Sequence, residues 1–157
     1  MKRRTLLAGA AGLCALAAPG ARAANAWPVV QVFRSPHCGC CGAWVDHLKA
    51  AGLPVAVTMV EDTTAARRRL GMPDAYGSCH SASVGGYAIE GHVPADEVKR
   101  LLAARPAALG LAVPSMPPGS PGMEVGSRRD PYQVLLIDRA GRASVYASYP
   151  KAAGAVR

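Results

Sequence analysis

Val29-Val30-Gln31-Val32-Phe33-Arg34-Ser35-Pro36-His37-Cys38-Gly39-Cys40-Cys41-Gly42 is the stretch whose reading decides the fold of this chain. Its first half is apolar and β-branched, which predicts a short strand ending at Arg34-Ser35-Pro36. Its second half sets three thiols within four residues, and a fourth follows at Cys79 with His80 beside it. So short a segment cannot turn all three sulfurs into a core, and an odd local number leaves one without a partner. Soft-metal binding uses such a cluster most readily, with thiol–disulfide exchange as the rival chemistry.

Outward from this stretch the pattern alternates. Residues 42–51 turn helical, with Cys41, Trp44, Val45 and Leu48 at three- and four-residue spacing and Gly52 where a C-terminal cap belongs. A second strand is expected over residues 55–60 and a helix from a Thr63 or Thr64 cap to Leu70. Residues 74–82 form a loop carrying Cys79-His80. Residues 84–92 read as a third strand with Gly85-Gly86 as a bulge, and Pro94 opens a helix over residues 95–104. Residues 106–126 hold Pro114, Pro117, Pro118 and Pro121 and are expected to be neither helix nor strand. A β-hairpin closes the pattern, its strands over 132–138 and 143–149. Arg67-Arg68-Arg69 is expected on a solvated helix face, His47 in solvent, and Met59, Met72 and Trp44 in the core.

Strand, cysteine loop, helix, strand, helix, loop, strand, helix is the order of a thioredoxin-like domain. The expectation is a single α/β domain with an added proline-rich loop and a C-terminal hairpin. In that architecture the cysteine motif sits at a helix N-terminus and the loop before the third strand packs against it. Cys79 then faces Cys38, Cys40 and Cys41.

The first residues are set apart. Lys2-Arg3-Arg4, an apolar run from Leu6 to Pro19 and Ala21-Arg22-Ala23 make an export signal over residues 1–23, by the Sec or the twin-arginine route. Cys14 falls inside it and is discarded with it. Four of the 18 basic residues (Lys2, Arg3, Arg4 and Arg22) go with the signal, leaving 14 against 10 acidic ones. The remainder, residues 24–157, is one domain with no membrane span, large enough to fold without disulfide staples. With one Phe and no interleaving of aromatic and basic residues, nucleic-acid binding is excluded.

At a helix N-terminus, free N–H groups and partial positive charge favour thiolate over thiol. Thiolates bind soft cations, and one sulfur can bridge two Cu(I) ions, so copper is the expected metal. Zinc in a closed four-sulfur site is the structural alternative, although the one-residue gap between Cys38 and Cys40 strains the usual chelate loop. Cys38-Gly39-Cys40-Cys41 is also formally a C-x-x-C, the motif of a thiol–disulfide oxidoreductase, with Cys40 competing for the bond. His80 is a candidate ligand or an orienter of Cys79. Met116 and Met123 offer thioethers, which suit Cu(I). For His92, before Pro94, a structural hydrogen bond is the default, and His37 is expected to be exposed.

Four segments carry a resemblance: Ser35–Cys41, Ser78-Cys79-His80-Ser81-Ala82, Gly86 to Pro94, and Gly110 to Glu124. Together they resemble the DUF411 family, which includes CopG-type copper resistance proteins of the bacterial periplasm. The resemblance covers residues 29–149. It implies a thioredoxin-like fold and a cysteine-bridged cluster of several Cu(I) ions on Cys38, Cys40, Cys41 and Cys79. It further implies a role in copper tolerance beside efflux or oxidase components, with interconversion of Cu(I) and Cu(II). Ser81 stands where the family usually has threonine, and Ser115 where it has glycine; neither departure removes a ligand.

Overall fold

A computed structural model describes residues 27–151. The expected export signal, Cys14 included, lies outside the described residues. Val30–Arg34 forms β1, with Val30 and Val32 fully buried and Gln31 between them at the surface. The chain then enters α1, Gly39–Ala50, whose buried face is Cys41, Trp44, Val45 and Leu48. Gly52, at φ +80°, ends it and donates its N–H to the Lys49 carbonyl at 2.8 Å.

β2, Val55–Met59, lies parallel to β1 and is an edge of the sheet. Met59 is therefore exposed and does not join the core, whereas Met72 is buried. α2, Thr63–Arg69, is capped by Asp62 and not by either threonine: its Oδ1 accepts the N–H groups of Thr64 and Ala65 at 2.8 and 3.1 Å. A single 3₁₀ turn, Asp74–Tyr76, leads into β3, His80–Val84.

Residues 84–92 are not one strand. The chain turns at Gly85 and Gly86, at φ +56° and +88°, and returns as β4, Tyr87–Glu90, antiparallel to β3. Two successive positive φ values are what a two-residue hairpin turn demands. α3, Ala95–Ala104, follows Pro94. Next comes β5, Gly110–Ala112, a three-residue strand inside a segment expected to be irregular. β6, Tyr132–Ile137, and β7, Ala143–Tyr149, form the closing hairpin. Residues 113–131 carry no helix or strand.

Among the described residues the seven strands make one sheet in the order β2-β1-β3-β4-β5-β6-β7. The β1–β2 and β4–β5 pairs are parallel and the other four antiparallel. The result is a mixed α/β single domain with three helices. One apolar cluster joins sheet to helices, with Val30, Val32, Trp44, Leu48, Ile89 and Leu101 among its members. Burial of each such side chain contributes about 1.5–3 kcal/mol. No helix among the described residues is long and apolar enough to cross a membrane.

His47, expected in solvent, is half-buried, and its Nε2 accepts the Ala95 N–H at 3.0 Å. It thereby supplies the N-terminal cap that α3, beginning after Pro94, has no side chain of its own to provide. Burial lowers the His47 pKa, against the pull of Glu124 and Asp96.

Candidate metal centre

Cys38 occupies the N-cap position of α1 in extended geometry, with no side-chain capping bond, so Cys40 and Cys41 lie within the helix's first turn. The helix begins three residues earlier than its periodicity suggested. Arg34, at the end of β1, holds this entry by donating from Nη1 to the Cys38 carbonyl at 2.8 Å. Cys79 arrives just before β3, and the β1–β3 register, with Arg34 opposite His80, carries it to the same end of the sheet.

The four sulfurs meet there. Cys40 Sγ stands 3.5 Å from Cys38 Sγ and 3.9 Å from Cys79 Sγ, and Cys41 Sγ stands 3.5 Å from Cys79 Sγ. All four lie within 4.8 Å of one another. Cys38 and Cys41 are joined as a disulfide, with Cα atoms 5.4 Å apart, while Cys40 and Cys79 are free. The adjacent Cys40 does not displace this bond, because Cys38 and Cys41 are one helical turn apart and face each other.

Cys79 also touches two imidazoles. His80 Nδ1 lies 3.3 Å from its sulfur and His92 Nε2 lies 3.2 Å away. Both rings are fully buried, and that of His80 packs against Trp44 with centroids 4.3 Å apart. Trp44 itself is core, its indole N–H donating to the Val93 carbonyl at 2.8 Å. Burial, then the neighbouring Cys40, pushes the Cys79 thiol up to about 12. Burial pulls His80 down to about 3, with the charge of His92 adding to it, and burial lowers His92 as well.

Below the site, Glu90 is buried and accepts from three donors: Ser78 N–H at 2.8 Å, Ser81 Oγ at 2.6 Å and Arg67 Nη1 at 3.4 Å. Arg67 is therefore not on a solvated face. It leaves Arg68 and Arg69 outside and turns inward to Glu90 and Asp74. The Ser78 bond fixes the backbone one residue before Cys79.

The proline-rich segment closes over both arms. The Ser78 hydroxyl donates to the Ser115 carbonyl, Pro121 O meets His92 Nδ1 at 2.8 Å, and Gly122 presses on the backbone of Cys40 and Trp44. Met116 on this segment is exposed and Met123 is half-buried. His37 is exposed.

The structure thus brings Cys38, Cys40, Cys41, Cys79 and His80 together, and adds His92, Glu90 and Arg34. Four sulfurs, two of them joined as the disulfide, and two imidazole nitrogens gather around Cys79 with no carboxylate among them, and once reduced the thiols are the donor type that suits a soft metal.

Comparison with known proteins agrees with this geometry. The family model described as a protein of unknown function, DUF411, matches residues 76–123. Two solved structures, titled copper resistance protein copG in form 2 and form 1, are each 46% identical to the chain. They superpose with TM-scores of 0.75 and 0.74, covering 78% and 79% of this chain and 98% of theirs. No curated protein matches the chain. With identity at that level over almost the whole of its solved relatives, the chain belongs to the DUF411 family, in which the CopG proteins stand.

Proposed function

We propose that the chain binds copper in copper resistance, gathering several Cu(I) ions on Cys38, Cys40, Cys41 and Cys79 as a cysteine-bridged cluster. His80, Met116 and Met123 are the accessory donors in this reading. The observation that carries it is the convergence of four sulfurs, from residues 38–41 and 79, within 4.8 Å. Thiolates are the ligands Cu(I) prefers, and each has lone pairs enough to bridge two ions. Similarity to the copper resistance protein copG points the same way.

Two electrons and two protons convert the Cys38–Cys41 disulfide into two thiols, so the full sulfur set belongs to the reduced protein. Placement of that disulfide at the start of α1, between β1 and β2, supports a thioredoxin-like kinship. It also supports a second reading, thiol–disulfide exchange on protein substrates. An export signal over residues 1–23 sends the domain to the periplasm, where copper efflux or oxidase components are its partners.

Anaerobic loading of the reduced protein with Cu(I), followed by metal analysis, tests the first reading. Cys79→Ser is expected to lower the number of copper ions per chain. Equal stoichiometry in wild type and variant rejects Cys79 as a ligand. Reduction of insulin disulfides that persists in Cys40→Ser favours the second reading instead.

A further inference from the structure

β2 has no neighbouring strand on its outer side among the described residues. Its ladder to β1 settles which of its backbone groups stay open. Val30 donates its N–H to the Pro54 carbonyl at 2.8 Å, and Val60 donates to the Arg34 carbonyl at 3.0 Å. In a parallel pair, alternate residues of one strand make the bonds to the other. Residues 54, 56, 58 and 60 therefore face β1. Val55, Val57 and Met59 turn their N–H and C=O groups outward.

The side chains of these three residues share one face. Val55 packs against the apolar cluster that holds α1, and the two-residue period of a strand puts Val57 and Met59 on the same side. Neither is covered there: Val57 is 38% and Met59 53% exposed. From Leu53 to Val60 no residue is charged. Sheet edges are usually blunted by a lysine, a bulge, or a proline in place of an open N–H. None of these stands within β2. The opposite edge, β7, is treated differently. Its ladder with β6 shifts between Val134 and Leu135, and Arg100 takes the Tyr146 carbonyl at 2.8 Å. Of the two edges, β2 is the one left ready to pair.

Its open groups are complementary to themselves. With β2 of a second copy antiparallel across a two-fold axis at Val57, Val57 meets Val57, and Val55 of each copy meets Met59 of the other. Each pair exchanges two N–H···O bonds, because outward residues fall opposite outward residues. The side chains brought together are all apolar and lie on one face, with Cβ atoms about 5 Å apart. Continued past the strand, the same register sets Glu61 of one copy beside Leu53 of the other. Leu53 follows the end of α1 that carries Lys49. An acid thus approaches a base at both ends of the joint.

We propose that β2 is a self-association edge, at which two copies of this chain join their sheets into one by antiparallel β2–β2 pairing. β2 runs parallel to β1, and the cysteine pole lies past the C-terminal end of β1, so the two-fold axis sends the two poles to opposite ends. Whatever the poles hold, both stay open to it.

Sedimentation equilibrium of the full chain tests this, with the thiols kept reduced so that no intermolecular disulfide contributes. Twice the chain mass is expected at about 200 μM, falling toward a single chain at about 1 μM, as suits a joint smaller than the standard interface. Val57→Lys sets two ammonium groups face to face at the axis and should weaken association at least about tenfold. A single-chain mass at the high concentration overturns the proposal and leaves the edge to a strand of another protein. A Val57→Lys curve superposable on wild type overturns it too. Should Val57→Lys fail to fold, amide hydrogen exchange of the wild type decides. The N–H groups of Val55, Val57 and Met59 should be protected at the high concentration and lose that protection on dilution, while those of Ala56 and Thr58 keep theirs. Exchange at the three outward positions that does not change with concentration overturns the pairing.

Discussion

Replacing Gly122 by alanine drives a methyl group into the first turns of α1. A Cβ at this position falls 2.7 Å from Trp44 N and 2.8 Å from the Cys40 carbonyl oxygen, both main-chain atoms that no rotamer change can move. Ordinary contact begins at 3.4 Å, so the loop must withdraw by about 0.7 Å. Gly122 also sits at φ +84°, which costs a residue with a side chain about 1–2 kcal/mol. Its neighbour Pro121 then loses the 2.8 Å contact with His92, a buried hydrogen bond worth about 1–2 kcal/mol when broken. The sum is about 2–4 kcal/mol, and for a domain of this size a fall in Tm of roughly 10 °C. Calorimetry on the metal-free protein measures it. A Tm within about 1 °C of wild type refutes the idea that this segment is seated on the helix.

Two further outcomes concern the scaffold. Arg67→Met leaves the buried Glu90 carboxylate without its cation. The urea midpoint is expected to fall by the equivalent of about 3 kcal/mol, and an unmoved midpoint assigns the pair no structural role. His47→Ala removes the cap on Ala95 and costs about 1 kcal/mol at neutral pH. Because burial lowers the His47 pKa, the unfolded chain takes up the proton first. The cap's contribution is present above the ordinary value of 6.5 and fades as pH falls below it. Wild type and variant should therefore converge in stability on acidification through that range, and a gap that holds constant contradicts the assignment.

How much of this was legible in the sequence depends on how local the signal was. β-branched Val30 and Val32, and the recurrence of Trp44, Val45 and Leu48, announced β1 and α1 because the periodicity lies within one element. Pro94 marked the start of α3 for the same reason. The meeting of Cys79 with Cys38, Cys40 and Cys41 followed only from element order, since nothing at residue 79 names its partners. Gly85-Gly86 was misjudged, although two adjacent glycines suit a hairpin turn as well as a bulge. Reading them as a turn sets Cys79 across from His92 by counting alone, while the structural hydrogen bond expected of His92 is there, to the Pro121 carbonyl. Arg67 was invisible as a buried residue because its partner Glu90 stands 23 positions away on another strand. Met59 looked apolar enough for the core, yet only topology reveals that β2 is an edge. The disulfide was the least legible feature, since three close thiols allow any pairing and helix phase decides among them.

The antiparallel ladder between β1 and β3 works as a vernier for the site. Val32 opposite Ala82 and Arg34 opposite His80 fix how far Cys79 protrudes past the sheet. A slip of a single rung reverses every side chain of β3. His80 then swings to the opposite surface and the thiols lose their meeting point. Custody of a cargo is thereby made conditional on native strand pairing: a misaligned chain keeps its local cysteine triplet but has nothing to close it with.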